Sequence, residues 1–386
     1  MFIGSGDPKP MNIVYVINSM SKSSGGPACT TLLTLQGMRS LGIDVKVLTN
    51  EVRSGEEPVS KESFIHYVKL PYFYNRRFGY SSAFAKALKE ISKADIYHIQ
   101  GIWQYQGYIT AKFALEKHNP YVVTLHGALH PEALRYSSLI KKTALSFFQR
   151  KQLQGAACVH VTCMEEMEHY RSLGFTNPVA VIPNPIECGE PVESFFEDDV
   201  KRVGYLGRIQ PYKRVDRLIE IWKKLNEPGE LIIMGDGDSK YVSEIRAKAS
   251  ELELNKVRFT GWVSGIEKQR FLASLTCLVV PSDFENFGVI IPEALLQYVP
   301  VIASTAAPWE DLNSYKCGWW VDNDSETLTN ILREALLLDK ETLYNMGKRG
   351  RQLVLDKYAV SVVSEQMSQL YNWLSGNSGK PDFVFE

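Results

Sequence analysis

Two glutamates on either side of a glycine-containing loop have the residue types and the spacing of an anion-binding site. Glu285 and Glu293 lie eight residues apart, about two helical turns, with Gly288 between them. A predicted strand precedes the loop and a predicted helix follows it, so unpaired backbone N–H groups and the positive helix end could bind a diphosphate. Carboxylates also hydrogen-bond vicinal hydroxyl groups, as in dinucleotide folds. Taken alone, the same spacing also fits an ordinary strand–helix junction.

A second loop contributes cations that could bind the same diphosphate. Arg208 and Lys213 follow the strand predicted over residues 203–206. Arginine offers a planar fork of donors and lysine a mobile point charge, and together they could neutralise a leaving diphosphate. The alternative is a solvated basic loop.

A third loop, Gly235-Asp236-Gly237, ends the strand predicted over residues 230–234. Because the two glycines have no side chains, a nucleotide base could approach the backbone there. Asp236 and Asp238 resemble a pair of metal ligands, but a turn after a strand explains them better. No metal site is predicted.

Short apolar strands alternate with helical stretches along the chain, in two sets. The first set is predicted at residues 12–17, 45–49, 96–99, 122–125, 158–162 and 179–182, and the second at residues 203–206, 230–234, 257–260, 277–280 and 299–303. Such alternation predicts parallel sheets with helices on both faces. The fold class is therefore α/β, with two Rossmann-like, doubly wound domains facing a cleft at the carboxyl ends of their strands.

The domain boundaries follow from the loops between these sets. Pro183-Asn184-Pro185 and the acidic stretch up to residue 200 are predicted to form a hinge. The N-terminal domain is placed at residues 1–190, with the fold proper from about residue 11, and the C-terminal domain at residues 191–357. A final amphipathic helix at residues 358–376 is predicted to pack on the N-terminal domain, followed by a disordered tail at residues 377–386.

The composition is that of a globular protein of enzyme size. A chain of 386 residues, 45% hydrophobic and 23% charged, predicts two domains and excludes fibrous and disordered classes. No apolar run approaches the roughly 20 residues that span a bilayer, and the N-terminus lacks a secretory pattern. The six cysteines include no CxxC pair, which indicates reduced core residues and a cytoplasmic location.

The two halves of the chain differ in charge. Residues 1–190 carry a formal charge of about +5 and residues 191–386 about −6. A basic first half suits an anionic acceptor or peripheral contact with the inner face of a membrane, and no nucleic-acid partner is predicted. The stretch 135–152, with Lys141, Lys142 and Phe147, could make that membrane contact, although a helix packed on the sheet is the preferred interpretation.

The second half also contains four motifs in the order of a known family: GYLGRIQPYKRVDRLI, LIIMGDGD, VRFTGWVS and PSDFENFGVIIPEAL. The spacing of the paired glutamates matches the same family. From Asn12 over nearly its whole length, the chain resembles the retaining family 4 glycosyltransferases of GT-B fold, also called glycosyl transferases group 1.

The resemblance implies a donor site in the second domain. Arg208 and Lys213 would hold the diphosphate, Glu285 would contact the donor sugar, and Glu293 would bind the ribose. The other residues implied are Asn286, Phe287, Gly288 and Val289 for the diphosphate and sugar, and Gly235, Trp262 and Val263 for the ribose and base. No metal and no cofactor would be needed, because the cations and the helix dipole neutralise the leaving group.

The resemblance assigns the acceptor side to the first domain. His126 would touch the donor sugar and join Glu285, Arg208 and Lys213 as the catalytic groups. Gly26 would let the backbone approach the donor, and Gly25, His98 and Trp103 would face the acceptor. A core position is an equal alternative for Trp103.

The reaction implied is retaining transfer of a hexosyl group from a nucleoside-diphosphate sugar to a glycan or lipid-linked saccharide, in cell-surface polysaccharide biosynthesis. UDP-glucose is the first donor predicted, before UDP-N-acetylglucosamine, UDP-galactose and GDP-mannose. A sugar-nucleotide epimerase of the same architecture and a GDP-mannose-dependent mannosyltransferase are the alternatives. A dehydrogenase is disfavoured because GxGxxG is absent after the first strand.

Overall fold

The structure, a computed structural model, describes residues 11–71, 78–91, 94–135, 148–194 and 199–386. The chain divides into two compact units. Unit 1 comprises Met1–Pro185 and Val360–Glu386, and unit 2 comprises Ile186–Ala359. The division after Pro185 falls five residues before the boundary that the sequence suggested.

Unit 1 is built on a parallel sheet with the strand order β7-β6-β5-β4-β1-β2-β3. The strands are β1 (Asn12–Ser19), β2 (Asp44–Asn50), β3 (Ile65–Val68), β4 (Ile96–Gln100), β5 (Tyr121–Thr124), β6 (Cys158–Val161) and β7 (Val179–Val181). The helices are α1 (Gly26–Ser40), α2 (Ser82–Glu90), α3 (Tyr105–Glu116), α4 (Pro131–Arg135), α5 (Arg150–Gln154) and α6 (Met164–Ser172). The strand order reverses between β1 and β4, and ligands of such sheets bind at the carboxyl ends of the strands there.

Unit 2 is a second parallel sheet, with the strand order β10-β9-β8-β11-β12-β13. The strands are β8 (Arg202–Leu206), β9 (Glu230–Met234), β10 (Val257–Gly261), β11 (Cys277–Val280), β12 (Val301–Ser304) and β13 (Gly318–Val321). The helices are α7 (Val215–Lys224), α8 (Ser239–Glu251), α9 (Gly265–Ala273), α10 (Ile290–Leu296), α11 (Asp311–Ser314), α12 (Ser325–Leu337) and α13 (Lys340–Lys357). Here the order reverses between β8 and β11, so the loops after these two strands are neighbours. The two parallel-sheet domains predicted from the sequence are confirmed.

The C-terminal segment belongs to unit 1. Helix α14 (Val360–Leu374) packs on α1, and its Tyr371 is fully buried. The prediction of a disordered tail is wrong, because β14 (Val384–Phe385) pairs antiparallel with β7 at the edge of the sheet. An edge strand offers unpaired backbone groups, and the buried side chain of Val384 adds apolar contact.

Besides β14, the short strands β3 and β13 were not predicted. In β3, His66 is exposed and Tyr67 is half-buried, so the strand lacks the continuous apolar run that marked its neighbours. In β13, glycine and two tryptophans replace the β-branched residues of the other strands. Both strands are held by parallel pairing with β2 and β12, which a local sequence window does not reveal.

None of the described helices is long and apolar enough to cross a bilayer. Within the stretch considered for membrane contact, residues 136–147, which include Lys141, Lys142 and Phe147, lie outside the described residues. Of its described residues, Arg135 ends α4 and residues 150–152 lie in α5.

Candidate functional site

The loops after β8 and β11 bring Lys213 and Glu285 into contact in unit 2. Lys213 ends a 3₁₀ turn (Pro211–Lys213), and its ammonium forms an ion pair with the Glu285 carboxylate. Glu285 is 8% exposed and also accepts a hydrogen bond from the Ser282 hydroxyl at 3.0 Å. The prediction that both residues serve one site is consistent with this contact, which the sequence could not show across 72 positions.

The glycine loop before α10 presents free backbone donors. Gly288 has φ +72°, a left-handed conformation that favours glycine. The carbonyl of Phe287 is held by the indole N–H of Trp309 at 2.5 Å, which fixes the turn. Within the described residues, the amides of Phe287, Gly288 and Val289 donate no hydrogen bond to the protein. Three free amides just before a helix, in a loop whose Glu285 is paired with a lysine, suit an anion.

Glu293 lies in the first turn of α10 and is paired with a residue that was not predicted to belong to the site. The Lys268 ammonium on α9 lies 2.6 Å from Oε1 of Glu293. Spacing along the chain gives no signal for this pair, since 25 residues separate the two side chains.

Asp283 anchors the loop after β11 through contacts that were not predicted from the sequence. Its carboxylate accepts hydrogen bonds from Nη1 of Arg214 at 3.2 Å and from Nδ2 of Asn323 at 2.8 Å, and Arg217 lies 3.6 Å away. Arg208 differs, because its side chain is exposed while the Tyr205 hydroxyl donates to its carbonyl at 2.8 Å. Its guanidinium therefore remains accessible to a ligand.

Gly235 and Gly237, which follow β9, are required for a reason other than the predicted approach of a nucleotide base. A Cβ added to Gly235 would lie 1.9 Å from the carbonyl oxygen of Gly207, and one added to Gly237 would lie 2.0 Å from that of Ile209. Close approach of the neighbouring backbone therefore requires both glycines, whether or not a base lies nearby. The Asp236 carboxylate accepts a hydrogen bond from the amide of Gly237 at 2.8 Å, a local contact typical of a turn after a strand.

The two residues predicted to pack on the base differ in exposure. The side chain of Trp262 is 69% exposed, so its ring is available to a ligand. Val263 is 5% exposed and lies in the core of unit 2, so its side chain cannot pack on a base. The contact of Val263 with the base stays a prediction, and its main chain is the part that could make it.

In unit 1, His126 follows β5 and is held in one orientation. Its backbone has φ +52°, and its Nε2 lies 2.8 Å from Oε1 of Gln100. An amide oxygen only accepts, so Nε2 carries the proton and Nδ1 keeps a lone pair. Burial, with the nearby His160, lowers the pKa of His126 to about 3. The ring is therefore neutral at pH 7 and can accept a hydrogen bond from a hydroxyl group.

A small cavity in unit 1 adjoins His126. It is lined by Thr31, Gln100, His160 and Asn184, among others. Gly25 has φ +72° and precedes α1, whose first residue is Gly26, and nothing lies within 4 Å of the added Cβ position at either glycine. Open space at this helix start is compatible with the predicted approach of a ligand.

The prediction that His98 faces an acceptor is wrong. His98 is fully buried, and both ring nitrogens have partners: the Tyr371 hydroxyl at Nδ1 and Oγ1 of Thr124 at 2.7 Å from Nε2. Oγ1 of Thr124 also lies 2.9 Å from Nδ1 of His160. His98 thus stabilises the sheet of unit 1 and the docking of α14. Polar residues at a strand end point to either face, and the sequence could not tell which.

Trp103 is partly buried against the core of unit 1, with φ +75°. Its amide donates to Oε1 of Gln149 at 2.8 Å. The partial burial leaves both the core position and the acceptor contact open as predictions.

The buried histidines make unit 1 sensitive to acid. Burial lowers the pKa of His126 to about 3 and of His160 to about 4, and holds that of His98 well below its usual range. The unfolded chain binds protons at these sites below about pH 6.5, whereas the folded unit does not. The free energy of unfolding is therefore expected to fall as the pH drops from 6.5 toward 4, because protons bind the unfolded chain and pull the equilibrium toward it.

Urea titrations at pH 7.5 and pH 5.0 check this expectation. The midpoint for unit 1 should be lower at pH 5.0, and His160→Gln should reduce the difference. Equal midpoints at both pH values would show that these rings titrate normally.

Among the described residues, His130, Glu165 and His169 form one group with the side chains of a metal site. Their ligand atoms lie within 4.8 Å of one another in unit 1. Nδ1 of His130, however, accepts a hydrogen bond from the amide of Glu132 at 3.1 Å. The proton of the neutral ring is then on Nε2, which faces Glu165, so a metal would have to displace it.

Comparisons with known sequences define the class of this protein. Residues 25–185 match the family described as a glycosyl transferase 4-like domain, and residues 190–353 match the glycosyl transferases group 1. The chain belongs to the group 1/family 4 glycosyltransferases. An uncharacterized glycosyltransferase of Methanocaldococcus jannaschii is 29% identical over 182 residues, which are 45% of this chain and 45% of that relative. The match thus spans less than half of either protein.

Solved structures share the fold over nearly the whole chain. Sucrose-phosphate synthase from Thermosynechococcus elongatus is similar with a TM-score of 0.77 and 20% identity, covering 95% of this chain and 100% of that one. Anabaena HepE in complex with UDP and glucose has a TM-score of 0.70 and 18% identity, covering 94% and 100%. These likenesses confirm the GT-B fold that the motifs implied.

Proposed function

We propose that this protein transfers a sugar, with retention and without a metal, from a nucleoside-diphosphate sugar to a glycan or lipid-linked saccharide. The observation that supports this most is the Lys213–Glu285 pair beside the free amides of Phe287, Gly288 and Val289. A cation and three N–H donors can bind a diphosphate, and the adjacent carboxylate can bind sugar hydroxyls. HepE, which shares the fold, binds UDP and glucose, and this favours UDP-glucose as the first donor to test.

The chemistry would depend on stabilising the leaving diphosphate. As the bond between the anomeric carbon and the phosphate oxygen breaks, negative charge grows on that oxygen, and Lys213, Arg208 and the loop amides would neutralise it. The acceptor hydroxyl would attack the same face, and its proton would pass to the departing phosphate oxygen. Bond breaking and bond formation then balance without a protein nucleophile or a metal.

Neutral His126 would contribute to sugar binding rather than to proton transfer. Its pKa of about 3 makes it a weak base, and its Nδ1 lone pair would accept a hydrogen bond from a hydroxyl of the donor sugar. The roles proposed for Trp262 and Glu293 are contacts with the base and the ribose.

Nucleotide binding tests the proposal directly. UDP, GDP, ADP and their common sugars are titrated by calorimetry and by thermal shift, with and without EDTA. One nucleoside diphosphate is expected to raise the melting temperature by mass action, equally with and without EDTA, and Lys213→Ala and Glu293→Ala are expected to abolish the shift. The absence of binding by any of them would contradict the proposal.

Product analysis separates transfer from epimerisation. A transferase releases the free nucleoside diphosphate when an acceptor is present, whereas an epimerase converts one sugar nucleotide into another without an acceptor. No observation in the described residues favours the epimerase.

A further inference from the structure

Lys268 lies where it can act on the ribose contact of the proposed donor site. Its ammonium is 2.6 Å from Oε1 of Glu293, and the two side chains are 25% and 29% exposed. Helix α10, which contains Glu293, is anchored by the fully buried Ile291, Ala294 and Leu295. The position of the Glu293 carboxylate is therefore set by the packing of α10 and by the ion pair with Lys268 on α9.

This contact differs from an exposed ion pair within one helix of unit 2. Lys240 and Glu244, on one helix, lie 3.9 Å apart with exposed fractions of 87% and 57%. Lys268 and Glu293 instead join two helices through a short bond that is partly shielded from solvent. Shielding strengthens an ion pair, so Lys268 can fix the orientation of the carboxylate.

The pair is chemically matched to a vicinal diol. A carboxylate has about four acceptor positions and an ammonium three donors, so one mutual bond leaves both with spare capacity. A hydroxyl group both donates and accepts. One ribose hydroxyl can donate a hydrogen bond to Glu293 while its oxygen accepts one from Lys268. A 2′-deoxyribose lacks one of the two hydroxyl groups of the diol.

We propose that Lys268 is a positioning and specificity residue, which orients Glu293 and makes the site select ribonucleotides over 2′-deoxyribonucleotides. The inference rests on the proposed function, in which Glu293 binds the ribose. It goes beyond that function by assigning to Lys268 the discrimination between two classes of nucleotide. Removing one hydroxyl leaves a partly shielded polar partner unpaired, which is why a small chemical difference can change the affinity measurably.

Calorimetry with UDP, GDP and their 2′-deoxy counterparts tests the inference. The wild-type protein is expected to bind the better ribonucleotide about tenfold more tightly than its 2′-deoxy form. Lys268→Met should weaken the ribonucleotide about tenfold and bring the ratio of the two affinities to within about threefold. Lys268→Arg should restore most of the ratio, and Lys240→Met, the matched control, should leave it unchanged.

The ratio separates a role at the ligand from a role in folding. A general weakening of unit 2 would lower both affinities equally and leave the ratio as in the wild type. Because Lys268 and Glu293 bind the same hydroxyl group, the effects of Lys268→Met and Glu293→Gln on the ratio should be less than additive. A Lys268→Met protein that keeps the wild-type ratio overturns the inference and leaves the proposed function intact. A wild-type protein that binds neither UDP nor GDP overturns both.

Discussion

Replacing Lys213 with alanine is expected to lower the rate of sugar transfer by about 10²–10³-fold, the effect typical of losing one donor to a developing oxyanion. The ammonium pairs with Glu285, which lies in the same loop as the free amides, and its side chain is only 16% exposed. A shielded cation stabilises the leaving diphosphate more strongly than a solvated one would. The rate is measured as release of the nucleoside diphosphate from the donor identified by calorimetry, with and without a saccharide acceptor.

A double-mutant cycle between Lys213 and its partner Glu285 tests this interpretation. Glu285→Gln keeps the shape and the hydrogen-bonding capacity of the side chain but removes the charge. Because the two groups form one ion pair, the double variant should be little slower than Lys213→Ala alone. Lys240→Ala, which breaks the exposed Lys240–Glu244 pair within α8, serves as the control. A Lys213→Ala protein with more than a tenth of the wild-type rate would rule out this role.

Gly235→Ala is expected to destabilise unit 2 by about 3 kcal/mol, through overpacking and backbone strain together. The added Cβ would lie 1.9 Å from the carbonyl oxygen of Gly207, and φ is +142° at this position. Neither backbone can move away easily, because Gly207 and Gly235 directly follow the paired ends of strands β8 and β9. The corresponding fall in melting temperature, of the order of 10 °C for a unit of this size, is measured by calorimetry.

Gly189→Ala is the matched control in the same unit. No heavy atom lies within 4 Å of the Cβ position there, so its effect should stay within about 1 kcal/mol. If Gly235→Ala melts like Gly189→Ala, the glycine is not required by the neighbouring backbone. Loss of nucleotide binding at unchanged stability would instead favour a contact between the base and this turn.

The fold was largely predictable because its signals are local. Short apolar strands such as 230–234 and 277–280 are marked by runs of buried side chains, and parallel sheets require them to be apolar on both faces. The exceptions, β3, β13 and β14, depend on pairing with a strand distant in sequence. Their own residues give a weak signal, so the prediction missed them and left the tail disordered.

The candidate site was predictable in its residue types and less so in its contacts. A glycine loop flanked by Glu285 and Glu293 and a basic loop at Arg208 and Lys213 could be predicted from the sequence alone. Both motifs are contiguous and follow a predicted strand. The sequence also determined that His126 ends a strand of the first domain.

Which of these groups come into contact depends on how each unit folds. The adjacency of β8 and β11 places Lys213 against Glu285, and the packing of α9 beside α10 places Lys268 on Glu293. The same level of structure buries His98 between Thr124 and Tyr371 and removes it from any ligand site. The physical reason is that strand order and side-chain facing are set by the packing of the whole unit, whereas a motif records only its own stretch of backbone.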